Sequence, residues 1–249
     1  MERKPQAKKN KKKVLTSCNL CAIMVTEPRE RKENHPMYYL MLDTETTNSI
    51  DDPIAYDIGF AIIDEQGTIY EAHSFAVAEV FLDKELMSSA YYAKKIPTYW
   101  EEIKAGVREL RSMETIRRKL HEVCKAYEVR AIVAHNARFD YRSTALTKRY
   151  LTCSKYRYFL PYGVELWDTL KMAREVFKQD EAYGQFCYDN DFLTKRGCRR
   201  YTAEILYRFI TNDVEFEEVH MGLADVEIEA VIFAECMKRG ATRCKLWEN

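Results

Sequence analysis

The sequence predicts an α/β protein with a mixed central sheet, and three observations predict it. Two apolar, strand-like runs joined by a glycine turn come first. A four-residue apolar run stands alone near the middle, and segments with three- and four-residue apolar spacing lie between and after these runs.

In chain order, Tyr38, Leu40 and Leu42 alternate with Tyr39 and Met41 in an unbroken apolar run, the pattern of a strand buried on both faces. Residues 58–63 form a second such run. Asp64-Glu65-Gln66-Gly67 then reads as a turn into a returning strand over 68–77, with Gly67 supplying the turn. Helical periodicity runs from about 84 to 127, interrupted at Pro97; within it Met113, Ile116, Leu120, Val123 and Cys124 mark one buried face. The run 131–134 reads as a central strand, followed by helices near 136–151, 167–178, 201–211 and 223–238. Residues 1–36 read as a basic, flexible N-terminal extension, 37–240 as the folded domain and 241–249 as a short C-terminal tail.

The chain has 249 residues, 47% hydrophobic and 31% charged, which excludes wholesale disorder, and it has no apolar run of membrane-spanning length. None of the eight glycines forms a G-x-G pair, so neither a dinucleotide fingerprint nor a Walker-type phosphate loop can be written. Any bound phosphate must be held by another device. The zero net charge conceals an asymmetry: residues 1–13 carry seven basic groups against Glu2, while the remainder carries 32 Lys and Arg against 38 Asp and Glu. Such an arm suits contact with a polyanion, or is simply a solvated lysine tail. No secretory signal precedes the eight cysteines, so reduced thiols and a cytoplasmic location are expected. Cys18 and Cys21 alone have the C-x-x-C spacing of a zinc half-site.

Three short segments carry chemistry. Asp43 and Glu45 end the first strand, and a spacing of two points both to one face of the pleat. Two buried carboxylates ask for a cation, although either could instead cap the strand exit or pair with a basic side chain. Asn136 and Asp140, four apart, share a helix face after the 131–134 strand, and Asn136 also reads as a helix N-cap. His220 and Asp225 would lie about 140° apart on one continuous helix. Gly222 offers the break that leaves His220 on a loop and Asp225 in the first turn of the next helix.

Taken together, Asp43-x-Glu45, Asn136-x-x-x-Asp140 and His220-x-x-x-x-Asp225 resemble the three motifs of the DEDDh family of 3′→5′ exonucleases, which includes proofreading epsilon subunits, ribonuclease T and oligoribonuclease. The resemblance covers about residues 37–238, and Trp167-Asp168-Thr169-Leu170 also reads like the family; Asn48 stands where epsilon-like members usually have glycine. It implies a ribonuclease H-like fold and two Mg²⁺ or Mn²⁺ ions held by Asp43, Glu45, Asp140 and Asp225. It further implies His220 as general base, and contacts from Thr46, Thr47 and Asn136 to the terminal nucleotide. The implied reaction releases 5′-mononucleotides from single-stranded or frayed 3′ ends, DNA somewhat preferred, with a polymerase or replication protein as a candidate partner and no membrane.

Asp168 reads as a helix N-cap. In the insertion at 180–200, Lys195, Arg196, Arg199 and Arg200, with nearby Arg208, read either as phosphate-tracking groups or as a solvated basic loop. The competing functions are an RNA-trimming 3′ exoribonuclease, a catalytically silent nucleic-acid-binding module and, using Cys18 and Cys21, a zinc-organised interaction module. The complete set of acidic residues favours an enzyme over the silent module.

Overall fold

The computed structural model describes residues 36–47, 51–153, 158–242 and 244–247. The lysine-rich arm, Cys18 and Cys21 lie outside the described residues.

Among the described residues six strands form one sheet in the order β4-β3-β2-β1-β5-β6. These are β1 (Tyr39–Thr47), β2 (Ile54–Ile63), β3 (Ile69–Val77), β4 (Glu109–Arg111), β5 (Ala131–Ala134) and β6 (Glu165–Asp168). The β1–β2 and β2–β3 pairs are antiparallel, the latter joined by the turn in which Gly67 takes φ 78°. The β1–β5, β5–β6 and β3–β4 pairs are parallel, so the sheet is mixed. The helices are α1 (Ala78–Phe81), α2 (Lys84–Ser88), α3 (Ile96–Ala105), α4 (Met113–Ala126), α5 (Arg138–Leu151), α6 (Thr169–Phe177), α7 (Glu181–Asp189), α8 (Ala203–Thr211) and α9 (Gly222–Lys238), with a 3₁₀ turn over Ala93–Lys95. None of these helices is long and apolar enough to cross a membrane.

The unbroken apolar runs have a plain cause: both faces of the sheet are covered. Leu40, Leu42, Ile58, Phe60 and Ile132 join one core with Met113, Ile116 and Leu120 of α4. Tyr39, Met41, Ala61 and Val133 join a second core with Met172 of α6, Leu206 of α8 and Val226 and Phe233 of α9. Alternate residues of one strand therefore enter different cores, as a period of two demands.

Several expectations need correction. Pro97 does not interrupt a helix; it sits in the first turn of α3, where its missing N–H is not needed. The helical stretch breaks instead over residues 89–92 and 106–112, where Gly106 at φ 74° ends α3 and Ser112 caps α4. The three residues of β4 are too few to show a period, and they occupy that gap. Residues 165–168 form β6, so the next helix starts at Thr169 rather than at 167. The 180–200 insertion contains α7, capped by Asp180. The C-terminal residues lie along β6: Asp168 N–H donates to Cys244 O, and Leu246 N–H to Leu166 O.

Candidate active site

The site forms where β1 leaves the sheet between α5 on one face and α9 on the other. Thr44 faces α5 and donates from Oγ1 to Asp140 Oδ1 at 2.9 Å, with Ser143 Oγ also 2.9 Å away. This locks the first turn of α5 against the strand. The neighbouring Asp43 and Glu45 point the other way, and a bulge between Glu45 and Thr46 shifts the register of the pairing with β2.

α9 approaches the sheet unusually closely. A side chain on Gly59 would strike the backbone of Gly222, and one on Gly222 would strike that of Gly59. Only a glycine pair lets the N-terminus of α9 reach β2 at this point. Asp57 completes the junction: wholly buried, it accepts from Gly222 N–H at 3.0 Å and from Tyr99 Oη at 2.6 Å, and it pairs with the buried Arg108, which also donates to Glu102 at 2.9 Å.

This anchoring sets the third motif. Asp225 is buried in the first turn of α9 and accepts from His220 N–H at 3.2 Å. The chain break falls at His220, with φ 52°, and not at Gly222, which already belongs to the helix. Left-handed backbone at a non-glycine residue costs of order 1–3 kcal/mol and persists only where its surroundings hold it. A carboxylate oxygen of Glu45, one of Asp225 and a ring nitrogen of His220 all lie within 4.8 Å of one another, close enough to share one cation. His220 Nδ1 is 3.7 Å from Glu218 Oε2, and its ring stacks on Tyr92.

Asn136 is not the N-cap of α5. It sits at φ 63°, a conformation asparagine tolerates, and the helix begins two residues later without a side-chain cap. Its N–H donates to Asp168 Oδ1 at 3.0 Å, the same oxygen that caps α6 through Leu170 N–H. His135 beside it bridges Thr169 Oγ1 and Tyr201 O; since a carbonyl can only accept, Nε2 carries the proton. Thr47 is fully buried with no hydrogen-bond partner for Oγ1, while Thr46 is half-buried.

The electrostatics are one-sided. Burial pushes the Asp43 carboxyl well above its usual range, reinforced by Glu229, Asp140, Asp225 and Glu45. Glu45 rises to about 9 through burial and then Asp225, with Lys95 opposing. Asp140 rises to about 7 through burial, against the Thr44 hydrogen bond, and Asp225 to about 7 through burial and Glu218. Burial and Lys95 lower His220, so it is neutral near pH 7. Carboxylates crowded this way, with Lys95 at the edge as the opposing charge, fit hard divalent cations as ligands.

Glu229 is not among the candidates the sequence motifs supply. It is buried one turn after Asp225, accepts from His135 N–H at 3.2 Å, and is itself raised well above its usual range by burial, Asp140 and Asp225. The signal for it in the sequence is an acidic residue four positions after Asp225 inside the apolar run of α9. Beside Asp43 and Glu229 opens a cleft of about 600 Å³, whose other wall includes Arg174, Arg200 and Tyr201.

The described residues thus form an α/β fold with a mixed six-stranded sheet of the ribonuclease H-like kind, the acidic cluster lying at the exit of its central strand. Solved structures similar to this chain include exonuclease I in complex with the inhibitor BCBP (14% identity, TM-score 0.54, covering 82% of this chain and 43% of that one). Others are cell-death related nuclease 4 (13%, 0.53, covering 84% and 66%) and E. coli exonuclease I with a dT13 oligonucleotide (14%, 0.51, covering 82% and 41%). The chain thus spans less than half of exonuclease I. No protein-family model matches the sequence, and no curated protein matches it.

Proposed function

We propose that this chain is a metal-dependent 3′→5′ exonuclease that hydrolyses the terminal phosphodiester bond of single-stranded or frayed nucleic acid, DNA in preference to RNA, and releases 5′-mononucleotides. The observation that carries this reading is the close group of Glu45, Asp225 and His220, with Asp43 and Asp140 electrostatically coupled to the same acidic cluster and Asp43 lining a cleft that also carries Arg174, Arg199 and Arg200. The likeness in fold to a nuclease crystallised with dT13 supports single-stranded DNA as the substrate.

The four carboxylates would hold two Mg²⁺ or Mn²⁺ ions through oxygen ligands. When bound, such ions neutralise charge on the phosphate and make water a nucleophile near neutral pH. His220, neutral at that pH, accepts the proton of the attacking water at a ring nitrogen beside Glu45 and Asp225. Glu218 Oε2 lies 3.7 Å from Nδ1, where its carboxylate, once ionised, favours the protonated ring that results. The backbone at Thr46 and Thr47, with the Asn136 side chain, orients the terminal nucleotide, and Arg174 and Arg200 face the phosphates that follow it.

The test uses matched DNA and RNA oligonucleotides labelled at either end, incubated with the full chain in Mg²⁺, Mn²⁺ or EDTA. Mononucleotides should leave a 3′-labelled strand from the first time point and a 5′-labelled strand should shorten as a ladder, in metal alone and faster for DNA. Absence of metal-dependent release from both polymers, or internal fragments as first products, would overturn the reading.

A further inference from the structure

We propose that Tyr92 and Lys95 are positioning residues that hold His220 in its working place, an inference that rests on reading His220 as the base. Nothing in the three sequence motifs points to either residue. They come from the short segment around the 3₁₀ turn ahead of α3, more than 120 positions before the histidine they meet.

The contacts form one unit. Lys95 Nζ donates to the backbone carbonyls of both Val219 and His220, the latter at 3.2 Å. The Tyr92 ring stacks on the His220 imidazole with centroids 4.6 Å apart and planes 15° from parallel. The same ammonium lies 4.3 Å from the Tyr92 ring centroid, so cation, phenol ring and imidazole brace one another. On its inner side His220 is tied by its own N–H to Asp225.

The strained backbone explains why such a brace is needed. At φ 52° the His220 backbone would relax toward an extended or helical conformation if released, and either change swings the imidazole out of the Glu45–Asp225 corner. Lys95 fixes the peptide groups on either side of the His220 Cα, and Tyr92 restricts rotation of the ring. Backbone and side chain are thus held by different groups, Lys95 in the 3₁₀ turn and Tyr92 at its N-cap.

The experiment compares Tyr92→Leu, Tyr92→Phe, Lys95→Met and Lys95→Arg with the unaltered chain. The readouts are steady-state kinetics on a single-stranded oligonucleotide, melting by circular dichroism, and the ring proton resonances of His220, assigned by their absence in His220→Ala. Tyr92→Leu and Lys95→Met should lower kcat by roughly 10- to 100-fold with KM within about twofold, the scale of a misplaced catalytic group. Tyr92→Phe keeps the ring and Lys95→Arg keeps two donors, so each should recover most of the rate. The His220 ring protons should be shifted upfield by Tyr92 in the unaltered chain, in Tyr92→Phe and in Lys95→Arg, and lose that shift in Tyr92→Leu and Lys95→Met. Unchanged kcat in folded Tyr92→Leu and Lys95→Met would overturn the proposal, as would His220 resonances indifferent to both. A chain that degrades no oligonucleotide yet shows the ring shifts would refute the enzyme reading while leaving the brace in place.

Discussion

Glu45 and Asp57 are direct cross-strand partners on β1 and β2, two carboxylates on one face of one sheet. Like charges in that position repel, and the fold treats them in opposite ways. Asp57 is surrounded by Arg108, Tyr99 Oη and Gly222 N–H. Glu45 has Asp225 as its foremost electrostatic neighbour, with Lys95 opposing, and its pKa is raised to about 9. One carboxylate is satisfied by the protein, and the other is the one proposed to take a cation. A buried acid with a complete set of protein partners is a structural joint. A half-buried acid among other acids is a candidate site.

The largest effects should separate these two roles. Asp140→Asn or Asp225→Asn should lower kcat by about 10³-fold or more, because each removes a ligand for charge stabilisation of several kcal/mol. Without metal, these variants should melt no earlier than the unaltered chain, since a repelled charge is gone. Arg108→Met should do the reverse to stability, costing about 3–5 kcal/mol by urea denaturation, because it leaves Asp57 buried and uncompensated. If instead Arg108→Met is as stable as the unaltered chain, the distinction between joint and site fails.

Acidity sharpens the contrast without mutation. In the absence of metal, Glu45, Asp140 and Asp225 keep protons in the folded state up to about 9, 7 and 7. In the unfolded chain they ionise near pH ~4. The folded state therefore binds more protons between about pH 4 and these values, so stability is greatest at the acid end of that window and falls as pH rises through it. In EDTA the melting temperature should drop between pH 5 and pH 8, by the equivalent of a few kcal/mol, since a tenfold change in proton affinity is worth about 1.4 kcal/mol. Adding Mn²⁺ at pH 8 should restore it by mass action. A melting temperature flat across this range in EDTA would count against a cluster waiting for cations.

Much of this site is legible in the sequence. Asp43, Glu45, Asp140, His220 and Asp225 stand in short local patterns, and strands buried on both faces announce themselves as unbroken apolar runs. What stays hidden depends on tertiary approach. Asp57 lies just ahead of the 58–63 apolar run and carries no signal of its own, because its partner Arg108 is 51 positions away in an irregular segment. Tyr92 and Lys95 cannot be linked to His220 for the same reason. Asn136 reads as an N-cap because the left-handed turn that displaces it is held by Asp168, from another strand. The β4 and β6 strands escape a reading by periodicity because three or four residues cannot display a period.

The smallest expected effect carries the same distinction to the basic residues of the insertion. In sequence Arg199 and Arg208 are equivalent to Arg200 as phosphate contacts, yet both are occupied by the protein. Arg199 donates to the carbonyls of Phe177, Lys178 and Asp180 around the end of α6, and Arg208 to Phe216 O and Glu204. Arg199 and Arg200 both line the cleft, but Arg200 is exposed whereas Arg199 is half-buried with its guanidinium on the Phe177 and Asp180 carbonyls. Arg199→Ala should thus lower stability, leaving three carbonyls without their donor, and leave the salt dependence of binding unchanged. Arg200→Ala should leave melting unchanged, weaken oligonucleotide binding a few-fold at low salt, and reduce the slope of log K against log salt by about 0.7, the single-strand value for one phosphate contact. Fluorescence anisotropy in EDTA across a salt series measures this slope without turnover. An unchanged slope in Arg200→Ala would remove that arginine from the strand's path, and a reduced slope in Arg199→Ala would show that a guanidinium holding backbone carbonyls still reaches phosphate.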